Sequence, residues 1–378
     1  MTMESCHCNC TIKYTKRILV TGGAGFIASH VVIMLVERYP DYFILNLDKL
    51  DHCASLENLR RIEGKSNYKF IEGDICEATY MKYLFQSEKI DVVMHFAAQS
   101  HVDKSFWSSL EFTKTNVYGT HVLINAAFEA NVQCFIHVST DEVYGGKSDA
   151  ILDESSPFRP CNPYSASKAA AECIVMSYWE SFKFPVIVTR SNNVYGPHAH
   201  PEKVVPKFIS LLQRNRKCCV HGKGEQSRSF LYVTDAAEAF ISILHNGFAG
   251  ETYNIGSNFE ISVLDLAKDL VRRIKKVITD EEINQHIEYV DDRPFNDRHY
   301  PMDSSKVEAL GWKPVVRWHD GIEKTIEWYS NHFHNWPDAE RSLTPFPIGS
   351  NTMYYHKDDG TVIKVSRIPK CIPTKESC

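Results

Sequence analysis

Ile18-Leu19-Val20-Thr21-Gly22-Gly23-Ala24-Gly25-Phe26-Ile27-Ala28 decides how this chain is read. An apolar run leads into closely spaced glycines and then into apolar residues at helical spacing, which predicts a strand, a tight turn and the start of a helix. Gly22 permits the turn and Gly25 lets a diphosphate approach the backbone. The helix opening at Phe26 and Ile27 offers free N–H groups and positive potential to an anion. Ala28 replaces the usual last glycine and still allows close helix–strand packing. Alone, such spacing is weak evidence. Its weight comes from the next apolar run, residues 43–47, which ends on Asp48. A carboxylate there accepts both ribose hydroxyls and repels a 2′-phosphate, so the pattern favours NAD over NADP, with Lys49 partly offsetting the repulsion.

Further apolar runs at 68–71, 92–96, 135–138 and 186–188 are separated by helix-length segments. That alternation is the signature of a doubly wound α/β domain, a parallel sheet covered on both faces, expected over residues 17–190. Beyond about residue 190 the rhythm breaks into loops rich in Pro, Gly and Arg, with helices expected near 206–215 and 263–276. This predicts a smaller, interwoven α/β substrate lobe made mainly of residues 191–337. Residues 1–16 read as a disordered tail and 338–378 as a C-terminal extension, in which 353–356 and 361–365 flank an Asp359-Gly360 hairpin turn.

At 378 residues and 43% hydrophobic, the chain can bury a core large enough for two lobes. Its 42 basic and 47 acidic residues leave a net charge of −5, which gives no reason to expect nucleic acid or an anionic membrane as partner. Residues 18–36 are nearly apolar and about long enough to span a bilayer, but Gly22, Gly23, Gly25, Ser29 and His30 fit a buried strand, turn and helix better. Residues 1–17 are polar and cysteine-rich without a secretory hydrophobic core, so a cytoplasmic location and reduced thiols are expected. Cys6-His7-Cys8-Asn9-Cys10 has ligand types suited to a soft metal, but no second pair follows at finger spacing, and no metal is expected.

Chemistry concentrates in Ser139-Thr140-Asp141-Glu142-Val143-Tyr144-Gly145 and Tyr164-Ser165-Ala166-Ser167-Lys168. The run at 135–138 delivers a hydroxyl and two adjacent carboxylates at its end, while Tyr164 and Lys168, four apart, share one helix face. A phenol with an ordinary pKa of about 10 loses its proton near neutral pH only if a cation favours the phenolate, and Lys168 is expected to be that cation. Asp74-Ile75 and Ala97-Ala98-Gln99-Ser100 follow the third and fourth runs. They are placed to flank an adenine and to line a pyrophosphate and ribose, although small residues there equally suit close packing.

Together these residues resemble the extended short-chain dehydrogenase/reductase family, and within it the nucleoside-diphosphate-glucose 4,6-dehydratases of the animal dTDP-glucose type. The resemblance runs from about Arg17 to Phe346. It is carried by Thr21-Gly22-Gly23-Ala24-Gly25-Phe26-Ile27, Ala97-Ala98-Gln99-Ser100-His101-Val102-Asp103, the Ser139 to Gly145 segment, Tyr164 to Lys168, and Pro201-Glu202-Lys203. The Thr-Asp-Glu triplet is the most specific part. Related epimerases typically lack the carboxylate pair, and sugar-nucleotide decarboxylases keep the glutamate without the aspartate. Gln99 stands where bacterial members usually carry Glu, and Val194 where they usually have a second Asn; residues 338–378 run past the pattern.

The resemblance implies a Rossmann fold and tightly held NAD. Its cofactor contacts would be Gly22, Gly25, Phe26, Ile27, Asp48, Lys49, Asp74, Ile75, Ala97, Ala98, Ser100, Thr115, Tyr164 and Lys168. A nucleoside-diphosphate-glucose, dTDP- or UDP-linked, would be bound by Ser100, Thr140, Asn193, Lys203, Val204, Arg228, Arg293 and Asn296, with Arg228 and Arg293 suited to the diphosphate. It further implies catalysis by Thr140, Asp141, Glu142, Tyr164 and Lys168: oxidation at C4, loss of water across C5 and C6, and reduction at C6. Asn116 would position the site's backbone. A homodimer is expected through helices at 112–130 and 164–182, using apolar positions such as Val122, Leu123, Ala126 and Ala127. The competing readings are a UDP-glucuronate decarboxylase or 4-epimerase and a catalytically idle NAD- or sugar-nucleotide-binding regulator. Asp141 separates the enzymes, because neither rival expels a 6-hydroxyl. Thymine and uracil differ by one methyl, worth only about 1–3 kcal/mol in an apolar pocket, so the base stays open.

Overall fold

Apolar runs rich in β-branched residues and buried on both faces become the strands of a central parallel sheet. In chain order the first half gives β1 (Lys16–Thr21), α1 (Phe26–Arg38), β2 (Tyr42–Asp48), β3 (Tyr68–Glu72), α2 (Ala78–Glu88), β4 (Val92–His95), α3 (Thr120–Glu129), β5 (Cys134–Thr140), α4 (Pro163–Phe182) and β6 (Val186–Ser191). Then come β7 (Asn193–Tyr195), α5 (Val204–Gln213), β8 (Cys218–His221), β9 (Ser227–Tyr232), α6 (Val233–Asn246), β10 (Thr252–Ile255), β11 (Glu260–Ser262), α7 (Val263–Lys275), β12 (Ile287–Val290) and α8 (Trp318–His332). These come from a computed structural model, which describes residues 13–146, 150–292, 301–344, 352–356 and 362–366.

The sheet has seven strands in the order β10-β6-β5-β4-β1-β2-β3, every neighbouring pair parallel. Strand order reverses between β1 and β4, and a crevice at the carboxyl ends of such strands is where doubly wound sheets bind ligands. One face is covered by α1 and α6, with Val31, Leu35, Ala236 and Phe240 in a single core; α2, α3 and α4 cover the other through Met81, Leu84, Leu123 and Val175. A separate core, including Phe208, Leu212, Leu266, Leu270 and Trp336, holds the smaller lobe.

From the second half of the chain, α6 and β10 return to the first lobe, where β10 pairs with β6. Three sequence expectations need correction. Residues 14–16 belong to the folded body rather than to the tail: the Thr15 N–H donates to the Asp41 carbonyl at 2.8 Å, the Tyr14 hydroxyl donates to the Ser66 carbonyl at 2.8 Å, and Lys16 opens β1. The extension does not separate at 338, since Ala339 and Leu343 are buried in the small-lobe core. Leu123, Ala126 and Ala127 are buried inside the chain, so they are not a dimer face. The expected hairpin forms as β13 (Thr352–His356) antiparallel to β14 (Val362–Ser366), with its turn outside the described residues, as are residues 1–12 with the Cys6 to Cys10 cluster.

One buried network joins the layers. Arg190 on β6 donates to Glu172 on α4 at 3.0 Å and to the Tyr144 hydroxyl at 2.6 Å, and Tyr144 donates to Asn254 on β10 at 2.7 Å. Arg190 is 5% exposed and Glu172 1%. Glu172→Ala should therefore cost about 3–5 kcal/mol of unfolding free energy, because it leaves a buried guanidinium unpaired, whereas Glu172→Met combined with Arg190→Met should cost far less. Guanidinium denaturation of the two variants measures this, and equal losses would contradict it.

Candidate active site

The glycine loop is shaped by its neighbours. Gly22 has φ +73, and a Cβ there would sit 2.8 Å from the Ala97 backbone, so the turn tolerates no side chain. A Cβ on Gly23 would collide with the Asn46 side chain, whereas one on Gly25 would meet only the Gly22 carbonyl, at 3.0 Å. Gly25 thus presents an open side, and α1 behind it has no side-chain cap and no acid in its first turn. Those free N–H groups suit a diphosphate. Asp48 closes the loop: one carboxylate oxygen accepts the Ala24 N–H at 3.0 Å and the other the Leu50 N–H at 2.8 Å. A carboxylate has about four lone-pair sites, so acceptor capacity remains for a ribose. Burial pushes its pKa up, opposed by those two backbone bonds. The Lys49 ammonium lies 3.7 Å from Asp51 and 3.8 Å from Asp74, which commits its charge to carboxylates rather than to a 2′-phosphate.

A cavity of about 410 Å³ opens above the strand ends. Its walls include Gly22, Gly25, Phe26, Ile27, Asp48, Lys49, Asp74, Ile75, Ala97, Ala98, Ser100 and Thr115, together with Thr140, Asp141, Glu142, Tyr164, Lys168, Asn193, Lys203, Val204 and Arg228. The sequence-derived residues thus meet at one place, apart from Arg293 and Asn296, which lie outside the described residues. Lys203 reaches across from the small lobe and donates to the Ser100 carbonyl at 2.6 Å.

β5 ends at Thr140, whose hydroxyl accepts the Glu142 N–H at 3.3 Å and donates to Asp141 at 3.1 Å, capping the short 3₁₀ turn Asp141–Tyr144. The two carboxylates are held by different asparagines. Asn192 donates to Asp141 at 3.0 Å, and Asn162 donates to Glu142 at 2.9 Å. Asn162 is also the N-cap of α4, in a capping box with Ser165 and with Pro163 at the first helical position. Sequence reasoning missed both asparagines. Asn162-Pro163 is a legible helix start, but its reach to Glu142 is not, and Asn192 was visible only as half of an Asn doublet.

Asn116 sits in a π-helical turn, Thr113–Gly119, rather than in one continuous helix. Its carbonyl oxygen accepts the Gln99 N–H at 2.7 Å, and its amide donates to the Gln99 carbonyl at 3.0 Å and to the Ser167 hydroxyl at 2.9 Å. It therefore locks the segment after β4 to the helix that carries Tyr164. Such turns recur at functional sites.

The expected effect of Lys168 on Tyr164 is not what the structure shows. Burial drives the Tyr164 pKa well above its ordinary value, the Glu142 charge adds to this, and a hydrogen bond with Thr140 opposes it. The Lys168 ammonium instead donates to the Val138 carbonyl at 2.6 Å, and burial holds its own pKa down to about 8. At the cavity rim, His52 is raised to about 9 by its hydrogen bonds to Asp51 and Glu202, a contact between residues 150 apart that no local pattern signals.

The family model described as GDP-mannose 4,6 dehydratase matches residues 19–325. The dTDP-D-glucose 4,6-dehydratase of Bos taurus is 63% identical over 336 residues, 89% of this chain and 95% of the relative. A trifunctional UDP-glucose 4,6-dehydratase, 3,5-epimerase and reductase of Arabidopsis thaliana is 49% identical, across 89% of this chain and 50% of its own length. The crystal structure of a dTDP-glucose 4,6-dehydratase from Streptomyces venezuelae, with NAD and dTDP bound, superposes with a TM-score of 0.81 at 36% identity, covering 85% of this chain and 99% of that one.

Lys168 yields a stability test. Its pKa falls from 10.5 to about 8 on folding, so between those values the unfolded chain binds more protons and stability rises with pH; below about 8 the buried charge is a standing cost. Lys168→Met, with NAD removed from both proteins, should be more stable than the parent at pH 7 by roughly 1–3 kcal/mol, with the gap shrinking towards pH 10. Denaturation curves at pH 7, 8.5 and 10 check this, and a variant no more stable at pH 7 would refute it.

Proposed function

Because the chain belongs to the GDP-mannose 4,6-dehydratase family, we propose that it removes water from a nucleoside-diphosphate-glucose, dTDP- or UDP-linked, to give the 4-keto-6-deoxy sugar nucleotide. The observation that carries this reading is the pair of adjacent carboxylates, Asp141 and Glu142, fixed separately by Asn192 and Asn162 beside Tyr164 and Thr140. NAD is the cofactor, with Gly22, Gly25 and the first turn of α1 suited to its diphosphate and Asp48 to its ribose. Held there, it would supply the hydride acceptor for C4 and the hydride donor for C6, so that no net oxidation results.

Tyr164, with Thr140 beside it, takes the proton of the sugar 4-hydroxyl. Burial and Glu142 oppose the phenolate, so cationic charge in the assembled complex has to offset them. The resulting 4-ketone acidifies the C5 proton. Glu142 removes that proton, and Asp141, protonated, gives one to the departing 6-hydroxyl. The Thr140 hydroxyl can donate to an ionised Asp141 or accept from a protonated one, so the turn accommodates both states. Glu142 then returns its proton to C5, and the proton gained by Tyr164 balances the one lost by Asp141, exchange with solvent restoring both groups. Ser100, Asn193, Lys203, Val204 and Arg228 face the cavity as the sugar-nucleotide contacts, with Arg293 and Asn296 added on the sequence resemblance.

A homodimer and a cytoplasmic location complete the reading. Among the described residues no helix is long and apolar enough to cross a membrane. α3 and α4 lie side by side on one sheet face, and their outer surface exposes Ala166, Ala170 and Cys173, with Tyr118 51% exposed nearby. Small residues at that spacing let a second copy approach closely. Light scattering at micromolar concentration should give the dimer mass for the parent and the monomer mass for Ala170→Arg; a monomeric parent would overturn this.

The reaction is tested by incubation with dTDP-glucose and with UDP-glucose, following the sugar by NMR, and by single-turnover absorbance of three variants. Glu142→Gln should oxidise C4 and then stall with reduced cofactor on the enzyme. Asp141→Asn should slow water loss by roughly 10²–10⁴-fold, the usual share of one general acid. Tyr164→Phe should block the first hydride transfer. Normal turnover in Asp141→Asn, with the 6-hydroxyl kept in the parent's product, would move the protein to the epimerases or decarboxylases.

A further inference from the structure

At the rim of the cavity, three side chains from two lobes converge on one point. His52 lies in the loop after β2, whereas His200 and Glu202 lie in the segment between β7 and α5. Their ligand atoms all fall within 4.8 Å of one another. His52 Nε2 and His200 Nδ1 stand 3.0 and 3.5 Å from the same oxygen of Glu202, and His101 Nδ1 stands 3.6 Å from it. Those separations bracket about 3.3 Å, the edge of a tetrahedron built on zinc bonds of about 2.0–2.1 Å.

A metal ion would take the place of a proton here. His52 Nδ1 and Nε2 lie 3.0 Å from the carboxylates of Asp51 and Glu202, and the Nδ1 hydrogen bond to Asp51 persists when a cation replaces the Nε2 proton. Asp51 is itself held by the Gln99 amide at 2.6 Å. Carboxylate, imidazole and metal in line is the usual outer support of a zinc-binding histidine. His200 Nδ1 lies 3.4 Å from the Glu202 peptide nitrogen and 3.5 Å from the Glu202 carboxylate. The site is partly enclosed: His200 is 4% exposed and packs edge-on against Trp336, while His52 is open to solvent.

We propose that His52, His200 and Glu202 form a site for a divalent transition metal, zinc by ligand type, that ties the loop after β2 to the small lobe at the mouth of the cavity. Two imidazoles and a carboxylate leave one coordination position, open to water or to the neighbouring His101, and nitrogen with carboxylate ligands suits zinc rather than magnesium or calcium. The inference does not rest on the dehydratase reading.

The full chain carrying Cys6→Ser, Cys8→Ser and Cys10→Ser, so that those thiols do not compete, and loaded with NAD, is dialysed against Zn²⁺ and assayed for bound metal by mass spectrometry. One zinc per chain is expected. His52→Ala and His200→Phe should each weaken binding by more than the ~10–100-fold of a lost outer-sphere partner. Loss in both variants is the result that identifies a bridge between the lobes. Co²⁺ in place of zinc should give the visible bands of a low-coordinate imidazole site, absent in His52→Ala. Zinc binding that is negligible in the parent, or unchanged in His52→Ala, would overturn the proposal and leave a cluster bridged by protons. His52 is exposed, so that variant is expected to fold and keeps the test decisive if His200→Phe does not.

Discussion

The buried pairing of Arg190 with Glu172 and Tyr144 is the constraint on which the site's geometry depends. Arg190 belongs to β6, Glu172 to the helix that carries Tyr164 and Lys168, and Tyr144 to the turn that carries Asp141 and Glu142. A guanidinium presents its donors in a rigid planar fork, so binding both partners fixes the helix and the turn relative to one strand. An apolar cluster of equal volume would pack as well and fix that relation less sharply. A buried ion pair is poor evidence of stability, and its use here is registry.

Around that frame the protein keeps several groups that burial penalises. Lys168 is 5% exposed with a backbone carbonyl as its partner, and His95 is held neutral, its pKa lowered to about 3 by burial, between the hydroxyls of Thr21 and Thr120. His137, beside them, has neither ring nitrogen hydrogen-bonded. Such groups lower stability, and their concentration beneath one cavity is what a site tuned for proton movement requires. Tyr164 shows the same tension, since burial and the Glu142 charge both favour the neutral phenol and only the Thr140 hydrogen bond opposes them.

Much of this was legible in the sequence because it is local. The glycine loop, the strand ending on Asp48, the hydroxyl and carboxylates after the fifth run, and the helix face shared by Tyr164 and Lys168 each follow from spacing along a few residues. What escaped depends on contacts between distant segments. Nothing near Asn192 points to Asp141, 51 residues earlier, and nothing near Asn162 points to Glu142. α6 and β10 look like parts of the second lobe in order of sequence, yet the apolar faces of both complete the first core. The partner of Lys168 was misjudged for a related reason: a helix face specifies which side chains share a direction, but not that a carbonyl at the edge of β5 comes within reach first.

The cavity belongs to both lobes, and so do the contacts that close it. Ser55 donates to the Asn335 carbonyl at 2.8 Å, the Trp336 indole to the Cys53 carbonyl at 3.2 Å, and Lys203 to the Ser100 carbonyl at 2.6 Å. All three join the nucleotide-binding loops to the small lobe, so full opening must break several hydrogen bonds together. An enzyme that exchanged its dinucleotide every turnover would bear that cost each time. One that regenerates its cofactor in place needs only enough opening to admit the sugar nucleotide, and a cleft tied at its nucleotide end is compatible with turnover for that reason.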